Sequence, residues 1–175
     1  ATLTDGKVIP NPRFYKRSEK VLAKEQRKLS KLTKGTPERR KQGKRLAKVH
    51  EKISNRRRDF CHKISKKIVH EYQYICIEDL NIKKMVQDNY LAKGIHDASR
   101  NQFRQFLSYK AVEAGRKIGI ANPAYTSQEC SKCHQREHKS LSQRRHICSK
   151  CGYQATRDFN ASENILAIGL DGLGV

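Results

Sequence analysis

Residues 126–153 read TSQECSKCHQREHKSLSQRRHICSKCGY, with two Cys-x-x-Cys pairs separated by 14 residues. The pairs are Cys130 with Cys133 and Cys148 with Cys151. Two residues between thiolates allow one tight turn to direct both sulfurs at a single ion, and a second turn completes a tetrahedron. Because the segment is too short and polar to bury a core, metal binding has to supply its folding free energy. We therefore predict one structural Zn²⁺ on these four cysteines, with no open position for catalysis.

Other ligand types lie in or near this segment. His134, His138 and His146 could each replace a cysteine, but four cysteines in register leave these histidines to the surface or to phosphate contacts. Cys61 and Cys76 occur in apolar periodic segments and are expected to be small core residues. Free thiols or two disulfides are the alternatives for the paired cysteines, and a reducing compartment disfavours disulfides.

The composition points to a polyanionic partner. The chain has 175 residues, with 38 lysines and arginines against 17 acidic residues, and a formal net charge of +21. The simplest partner for this field is a phosphate backbone. An anionic membrane is the rival, but the sequence has no run of about 18 apolar residues and no signal peptide. We therefore expect no membrane partner and no small-molecule substrate, and a location in the prokaryotic cytosol or nucleoid.

Much of the positive charge lies on a predicted helical hairpin over residues 13–67. Apolar residues recur at helical spacing on both sides of a break at Lys34-Gly-Thr-Pro37. Residues 13–58 contain 19 lysines and arginines against 4 glutamates, a balance of +15. A merely solvated helix usually pairs opposite charges at i,i+4, so this surplus favours a phosphate-facing surface. The predicted nucleic-acid-binding residues, including two in the cysteine segment, are Arg39, Arg40, Lys41, Lys44, Arg45, Arg56, Arg57, Arg58, Arg144 and Arg145.

Short strands alternate with helices elsewhere, which indicates the α/β class. The other predicted elements are a two-stranded hairpin around Asp5-Gly6 within residues 1–12, a buried strand over 74–78, a loop over 83–93, a helix over 95–115, a strand over 118–121, and a helix over 158–168. In the last helix, we expect Ala161, Ile165 and Ile168 to face inward.

Two carboxylates stand at the ends of predicted core elements. Glu78 ends an otherwise apolar strand, where an acid is costly without a partner, and Asp158 opens the last helix. An α/β sheet gathers its site residues at such ends, and converging carboxylates would bind Mg²⁺ and clamp a phosphate. The alternatives are an N-cap role for Asp158 and a strand-end charge reaching solvent for Glu78.

Four motifs then carry a family resemblance. In order, they are IEDLN at 77–81, PAYTSQECSKC at 123–133, CSKCG at 148–152, and RDFNASENI at 157–165. They resemble the TnpB/OrfB family of transposon-encoded, RNA-guided DNA endonucleases, which have a RuvC-like nuclease domain and are related to small type V CRISPR effectors. The basic hairpin before the glutamate strand fits the same order, so the resemblance covers nearly the whole chain.

The resemblance implies both a fold and a chemistry. The fold is α/β, with an RNase H-like (RuvC-like) core in residues 1–12, 68–125 and 154–170. A basic helical hairpin is inserted at 13–67 and a zinc ribbon at 126–153. Glu78 matches the catalytic glutamate of the family and Asp158 its last catalytic aspartate. Both would bind Mg²⁺, and the partners would be guide RNA and target DNA.

The resemblance also marks departures. The first catalytic aspartate of the family lies on a strand just upstream of the segment that matches Ala1–Gly6, and the recognition domains precede that strand. We therefore expect these 175 residues alone to bind DNA without cutting it. His134 replaces a glycine that usually follows the second cysteine, at a position that often needs positive φ, and Thr156 replaces a common acid. A nuclease-dead nucleic-acid-binding remnant and a ribosome-like RNA-binding zinc-ribbon protein are the alternative functions.

Overall fold

The computed structural model describes residues 1–81, 85, 87, 94, 97–140 and 142–175. These residues form two compact units. The first unit consists of Ala1–Asn11, Lys67–Asn81 and Leu107–Val175, and the second of Pro12–Lys66 and Ile82–Phe106. The predicted loop over 83–93 lies outside the described residues, apart from positions 85 and 87.

The second unit contains the predicted helical hairpin, apart from the last five residues of its second helix. Helix α1 spans Phe14–Ser30 and helix α2 spans Pro37–Glu71, so the predicted break between them is confirmed. The helices are antiparallel, since the side-chain Nε2 of Gln42 donates to the Glu25 carbonyl (3.1 Å) and the Phe14 ring packs edge-on against the Phe60 ring. The buried apolar residues of the hairpin include Leu22 of α1 and Ile53 and Cys61 of α2, which fits a sequence with few apolar residues per turn.

The N terminus of α1 is capped by a residue that is distant in the sequence. The local N-cap residue, Arg13, has φ +50° and makes no side-chain capping hydrogen bond. Instead, the Asp97 carboxylate accepts hydrogen bonds from the backbone N–H groups of Tyr15 (2.8 Å) and Lys16 (3.3 Å). Asp97 is only 6% exposed and also pairs with Arg57 at 3.1 Å. Because a helix N terminus favours negative charge, this buried pair fixes where α1 begins.

The first unit is built around two parallel strands. Strand β1 spans Tyr74–Glu78 and β2 spans Lys117–Ala121, and Cys76 lies opposite Gly119. This unit also contains β3 (Arg145–Ile147), β4 (Gln154–Thr156) and α4 (Arg157–Asp171). Helix α3 spans Arg100–Glu113 and belongs to this unit from Leu107 onward. The predicted hairpin around Asp5-Gly6 is present with a single bridge, from Thr2 to Val8. The antiparallel pair β3–β4 was not predicted from the sequence.

Helix α4 packs directly on the strand pair. A Cβ at Gly169 would lie 2.6 Å from the Cβ of Cys76, and a Cβ at Gly119 would lie 2.8 Å from the carbonyl carbon of Gly169. Glycine is therefore required at both positions for this close approach. Of the three residues predicted to face inward on α4, Ala161 and Ile165 are half-buried, but Ile168 is 42% exposed and that prediction is wrong. The buried residues of α4 are Asn160, Asn164 and Gly169.

Candidate metal-binding ribbon and carboxylate site

The two Cys-x-x-Cys turns have the same backbone geometry. In the first turn, the His134 N–H donates to the Cys130 carbonyl at 2.9 Å, and in the second, the Gly152 N–H donates to the Cys148 carbonyl at 3.0 Å. His134 has φ +59° and Gly152 has φ +73°. The position after the second cysteine thus needs positive φ in both turns, and His134 adopts it despite its side chain.

The turns bring the four predicted cysteines together. All four sulfur atoms lie within 4.8 Å of one another, with the Cys130–Cys151 pair at 3.7 Å and the Cys133–Cys148 pair at 3.5 Å. No disulfide joins them. A tetrahedral ion with metal–sulfur bonds of about 2.3 Å requires sulfur–sulfur edges of about 3.8 Å. The cluster can therefore hold a metal ion of the size of Zn²⁺, on sulfur donors that such an ion prefers.

Backbone N–H groups and neighbouring sulfur atoms shift the pKa values of the thiols in this cluster. Backbone N–H groups, first that of Cys151, lower the pKa of Cys148 to about 7. The N–H of Gln135 also lowers the pKa of Cys133, but burial and the three neighbouring sulfurs outweigh it and raise the pKa to about 12. Four thiolates at this separation repel one another, so a cation is what would allow all four to be ionised together.

Polar side chains from other parts of the chain form hydrogen bonds to each cysteine turn. In the first turn, the Ser131 N–H donates to the Asn160 side-chain oxygen (3.0 Å) and the Ser131 hydroxyl donates to Glu163 (2.8 Å). In the second turn, the N–H and the hydroxyl of Ser149 both donate to Glu137, at 2.7 and 2.5 Å. The first turn is therefore attached to helix α4, whereas the second is supported from within the ribbon.

His146 is not at the surface, contrary to the expectation for the ribbon histidines. It is fully buried and contacts the side chain of Lys139, which is itself only 5% exposed. Burial is the main cause that lowers the pKa of both side chains, so both are shifted toward their neutral forms. The pair fills the interior of the ribbon beside Cys148 and is not available to contact phosphate.

The Glu78 carboxylate lies at the carboxyl end of β1 and is partly buried. Its Oε1 accepts a hydrogen bond from the Thr126 hydroxyl at 3.1 Å. The Asn164 side chain of α4 in turn donates to the backbone carbonyls of Thr126 and Glu129, both at 2.8 Å. A continuous set of hydrogen bonds thus connects Glu78, the ribbon and α4. Sequence reasoning missed Thr126 and Asn164, because neither residue type signals such a role by itself.

Asp158 lies in the first turn of α4 and is exposed. It is not the N-cap, because the Thr156 hydroxyl accepts the capping hydrogen bond from the Phe159 N–H at 3.2 Å. Among the described residues, neither Asp158 nor Glu78 forms an ion pair with lysine or arginine. The N-cap alternative for Asp158 is therefore wrong, although a carboxylate in the first turn of a helix is favoured by the helix dipole.

The predicted nucleic-acid-binding residues divide into two groups. The side chain of Arg39 donates to the carbonyls of Leu29 (2.9 Å) and Leu32 (2.6 Å) at the end of α1, and Arg57 pairs with Asp97. The other eight are exposed, namely Arg40, Lys41, Lys44, Arg45, Arg56, Arg58, Arg144 and Arg145. Arg39 and Arg57 thus have structural roles within the hairpin, whatever else they contact.

These features define a basic protein of mixed helices and strands that carries a ribbon with four cysteines able to hold a metal ion. Residues 1–89 match the family OrfB IS605, described as "Probable transposase", and residues 101–165 match the "Cas12f1-like, TNB domain". The chain belongs to this TnpB/OrfB family of transposase-related proteins. The family predicted from the four motifs is thereby confirmed.

Named relatives agree with this assignment. A Streptomyces pristinaespiralis protein named "Putative RNA-guided DNA endonuclease" is 38% identical over 97% of this chain and 42% of its own length. The InsQ protein of Escherichia coli K12, with the same description, is 34% identical over 97% of this chain and 46% of its own length. The Cas12f1 endodeoxyribonuclease of Sulfoacidibacillus thermotolerans is 30% identical over 95% of this chain and 40% of its own length. The chain spans less than half the length of these relatives.

The fold is similar to that of Cas12f1. The protein chain in a cryo-EM structure of a Cas12f1–sgRNA–target DNA complex aligns over 90% of this chain and 42% of its own length, with a TM-score of 0.64 and 20% identity. A Cas12f ternary complex gives a TM-score of 0.63 over 89% of this chain and 32% of its own length. At this level of identity the likeness concerns the fold. Within the described residues, no helix is long and apolar enough to cross a bilayer.

Proposed function

We propose that this chain is the C-terminal nuclease and DNA-binding part of a transposon-associated, RNA-guided DNA endonuclease that hydrolyses phosphodiester bonds with Mg²⁺. The observation that carries the proposal is the arrangement of Glu78 and Asp158 around α4. This helix runs against the strand direction, because Gly169 packs over Cys76 whereas Asn164 is hydrogen-bonded to the loop that contacts Glu78. Its N-terminal turn therefore lies toward the carboxyl ends of the strands.

Asp158 is six residues before Asn164, which is about 9 Å along the helix axis. The first turn of α4 and the end of β1 thus lie toward the same edge of the strand pair, where α/β proteins bind their ligands, and we propose that the two carboxylates meet there. Glu78 and Asp158 would hold Mg²⁺ through their oxygen atoms, which are the ligands that this ion prefers. When bound, Mg²⁺ would activate water and neutralise charge on the scissile phosphate. Thr126 would keep the Glu78 carboxylate oriented, and the exposed Asp158 leaves room for a phosphate to approach.

In this proposal the four cysteines hold one structural Zn²⁺, and the three-part division into core, basic hairpin and ribbon applies. Hydrogen bonds connect the ribbon to the proposed reaction site. Asn164 donates to the carbonyls of Thr126 and Glu129, and Glu129 is the residue before the first cysteine. The exposed arginines and lysines of α2 would contact the phosphates of DNA or guide RNA. This contact accounts for a surplus of charge that internal ion pairs leave largely unneutralised.

The test compares two forms of the protein. Residues 1–175 alone should bind a labelled DNA duplex in Mg²⁺ without nicking it, since they contain two of the three carboxylates that the family resemblance implies. A longer chain with the upstream aspartate strand and the guide-binding region should cut the target in single-turnover assays with RNA. Glu78→Gln and Asp158→Asn should each abolish this cutting.

A matched control is Asp171→Asn, because Asp171 is exposed on the same helix, at its opposite end. This variant should cut at the rate of the parent protein. Cutting by Glu78→Gln and Asp158→Asn at the parental rate would refute the catalytic assignment. Tight DNA binding without cutting in the longer chain would instead favour the nuclease-dead binding remnant.

A further inference from the structure

We propose that Tyr125, with Arg136 stacked on its ring, is a platform on which one unpaired base of single-stranded DNA stacks beside the Glu78 carboxylate. The proposal rests on the proposed function for the identity of the strand. Tyr125 belongs to neither the cysteine cluster nor the carboxylate pair.

The backbone of Tyr125 is fixed in an uncommon conformation. Its φ is +63°, in the left-handed region that non-glycine residues rarely adopt. The N–H groups of Gln128 (2.8 Å) and Glu129 (3.0 Å) both donate to the Tyr125 carbonyl and hold this turn. Glycine, which lacks a Cβ, and asparagine, whose short side chain can hydrogen-bond locally, both adopt this conformation more readily than tyrosine. Two hydrogen bonds therefore hold the Tyr125 backbone in this conformation, while the side chain is not buried.

The side chain is available to a ligand. Tyr125 is 49% exposed, although the Arg136 guanidinium carbon lies 3.5 Å from its ring centroid. Arg136 stacks on one face of the ring, and we assign the base to the opposite face, since about half of the residue is accessible. A flat aromatic face next to a cation suits a nucleobase, which stacks on the ring while its phosphates are attracted to the guanidinium.

A purely structural role explains this arrangement less well. An exposed cation–π contact contributes little to stability, and it would function equally well on a tyrosine with ordinary φ. The position of Tyr125 also matters, because the next residue is Thr126, whose hydroxyl contacts Glu78. A base on this platform would hold the adjoining backbone near the carboxylate, which is what an in-line attack on a phosphodiester requires.

The experiment measures binding of residues 1–175 to a fluorescein-labelled single-stranded 12-mer of DNA and to the same 12-mer with abasic sites in place of its central bases. Tyr125→Asn tolerates positive φ but has no ring, and Tyr125→Phe retains the ring. Tyr125→Asn should weaken binding to the intact strand by at least about fivefold, which corresponds to the lower limit for the stacking of one base on an aromatic ring. Tyr125→Phe should bind like the parent. Tyr109→Ala is the matched control, because Tyr109 is also exposed (41%) with a lysine near its ring.

The abasic strand separates the contribution of base stacking to the affinity from that of charge, because it retains the phosphates but lacks the central bases. The parent protein should lose affinity for it, whereas Tyr125→Asn should bind both strands equally, with an unchanged salt dependence since no phosphate contact is removed. If the parent binds DNA but Tyr125→Asn and the abasic strand have no effect, the platform is refuted while the proposed function stands. If the parent binds duplex DNA but not the intact single strand, the platform is refuted while the proposed function stands, and if it binds neither, both fail. A penalty for abasic sites that occurs only with RNA would also overturn the assignment to DNA.

Discussion

Replacing Asn160 with alanine should release the first cysteine turn from helix α4. Asn160 is fully buried, its Nδ2 donates to the Glu129 carbonyl at 2.7 Å, and its Oδ1 accepts from the Ser131 N–H at 3.0 Å. In the variant, the Glu129 carbonyl retains the hydrogen bond from Asn164, but the Ser131 N–H loses its acceptor. One lost hydrogen bond and one unsatisfied donor together should cost about 2–3 kcal/mol of unfolding free energy.

The measurement has two readouts. A loss of this size should lower the melting temperature by about 4–12 °C, at roughly 2–4 °C per kcal/mol for a chain of this length. Zinc should also leave the variant faster under a chelator, since Ser131 lies between the two cysteines of the first turn. Asn101→Ala is the control, because Asn101 is exposed in the first turn of α3 and alanine favours a helix. If Asn160→Ala melts and releases zinc like the parent, α4 does not support the ribbon.

Three further changes test other parts of the molecule. Elemental analysis should find about one Zn²⁺ per chain, and Cys148→Ser should remove it and unfold the ribbon, whereas metal-replete protein without zinc would exclude a zinc site. Affinity for random duplex DNA should fall by about a thousandfold or more between roughly 50 and 200 mM salt if six phosphates are contacted, and reversing the exposed Arg56 and Arg58 to Glu should weaken it further. An unchanged affinity over that range would rule out a phosphate-facing hairpin. Gly169→Ala should destabilise the protein by about 1–3 kcal/mol in chemical denaturation, because its methyl group would overlap the β1 cysteine. Gly43→Ala, in open space on α2, should be neutral or stabilising, and equal effects of the two would contradict the packing of α4 on the strands.

The parts of the fold that depend on local sequence were predictable. The break between α1 and α2 follows from the Gly-Thr-Pro sequence at residues 35–37, and β1 follows from an apolar, β-branched run over 74–78. The approach of the four cysteines follows from their spacing, because each pair closes one turn. The need for positive φ at His134 was likewise visible in its position after the second cysteine.

The parts that depend on distant partners were not predictable. A period of 3.6 residues placed Ile168 inward, whereas the buried positions of α4 hold Asn160 and Asn164, which donate to backbone carbonyls 31 and 38 residues earlier in the chain. Arg39 and Arg57 belonged to a basic run, and nothing local distinguished them from their exposed neighbours. The contact of Thr126 with Glu78 joins residues 48 positions apart. Such partners become known only when the tertiary structure is known.

The cap on α1 has a consequence for the order in which the protein is made. Asp97 follows Tyr15 by 82 residues, so α1 leaves the ribosome long before the carboxylate that completes its first turn. At about 5–20 residues per second, the delay is roughly 4–16 s. During that time the nascent helices already carry their positive charge, while Arg57 has no buried partner. The basic hairpin is therefore among the first parts of these 175 residues to be synthesised, but it reaches its final form only after Asp97 has been added.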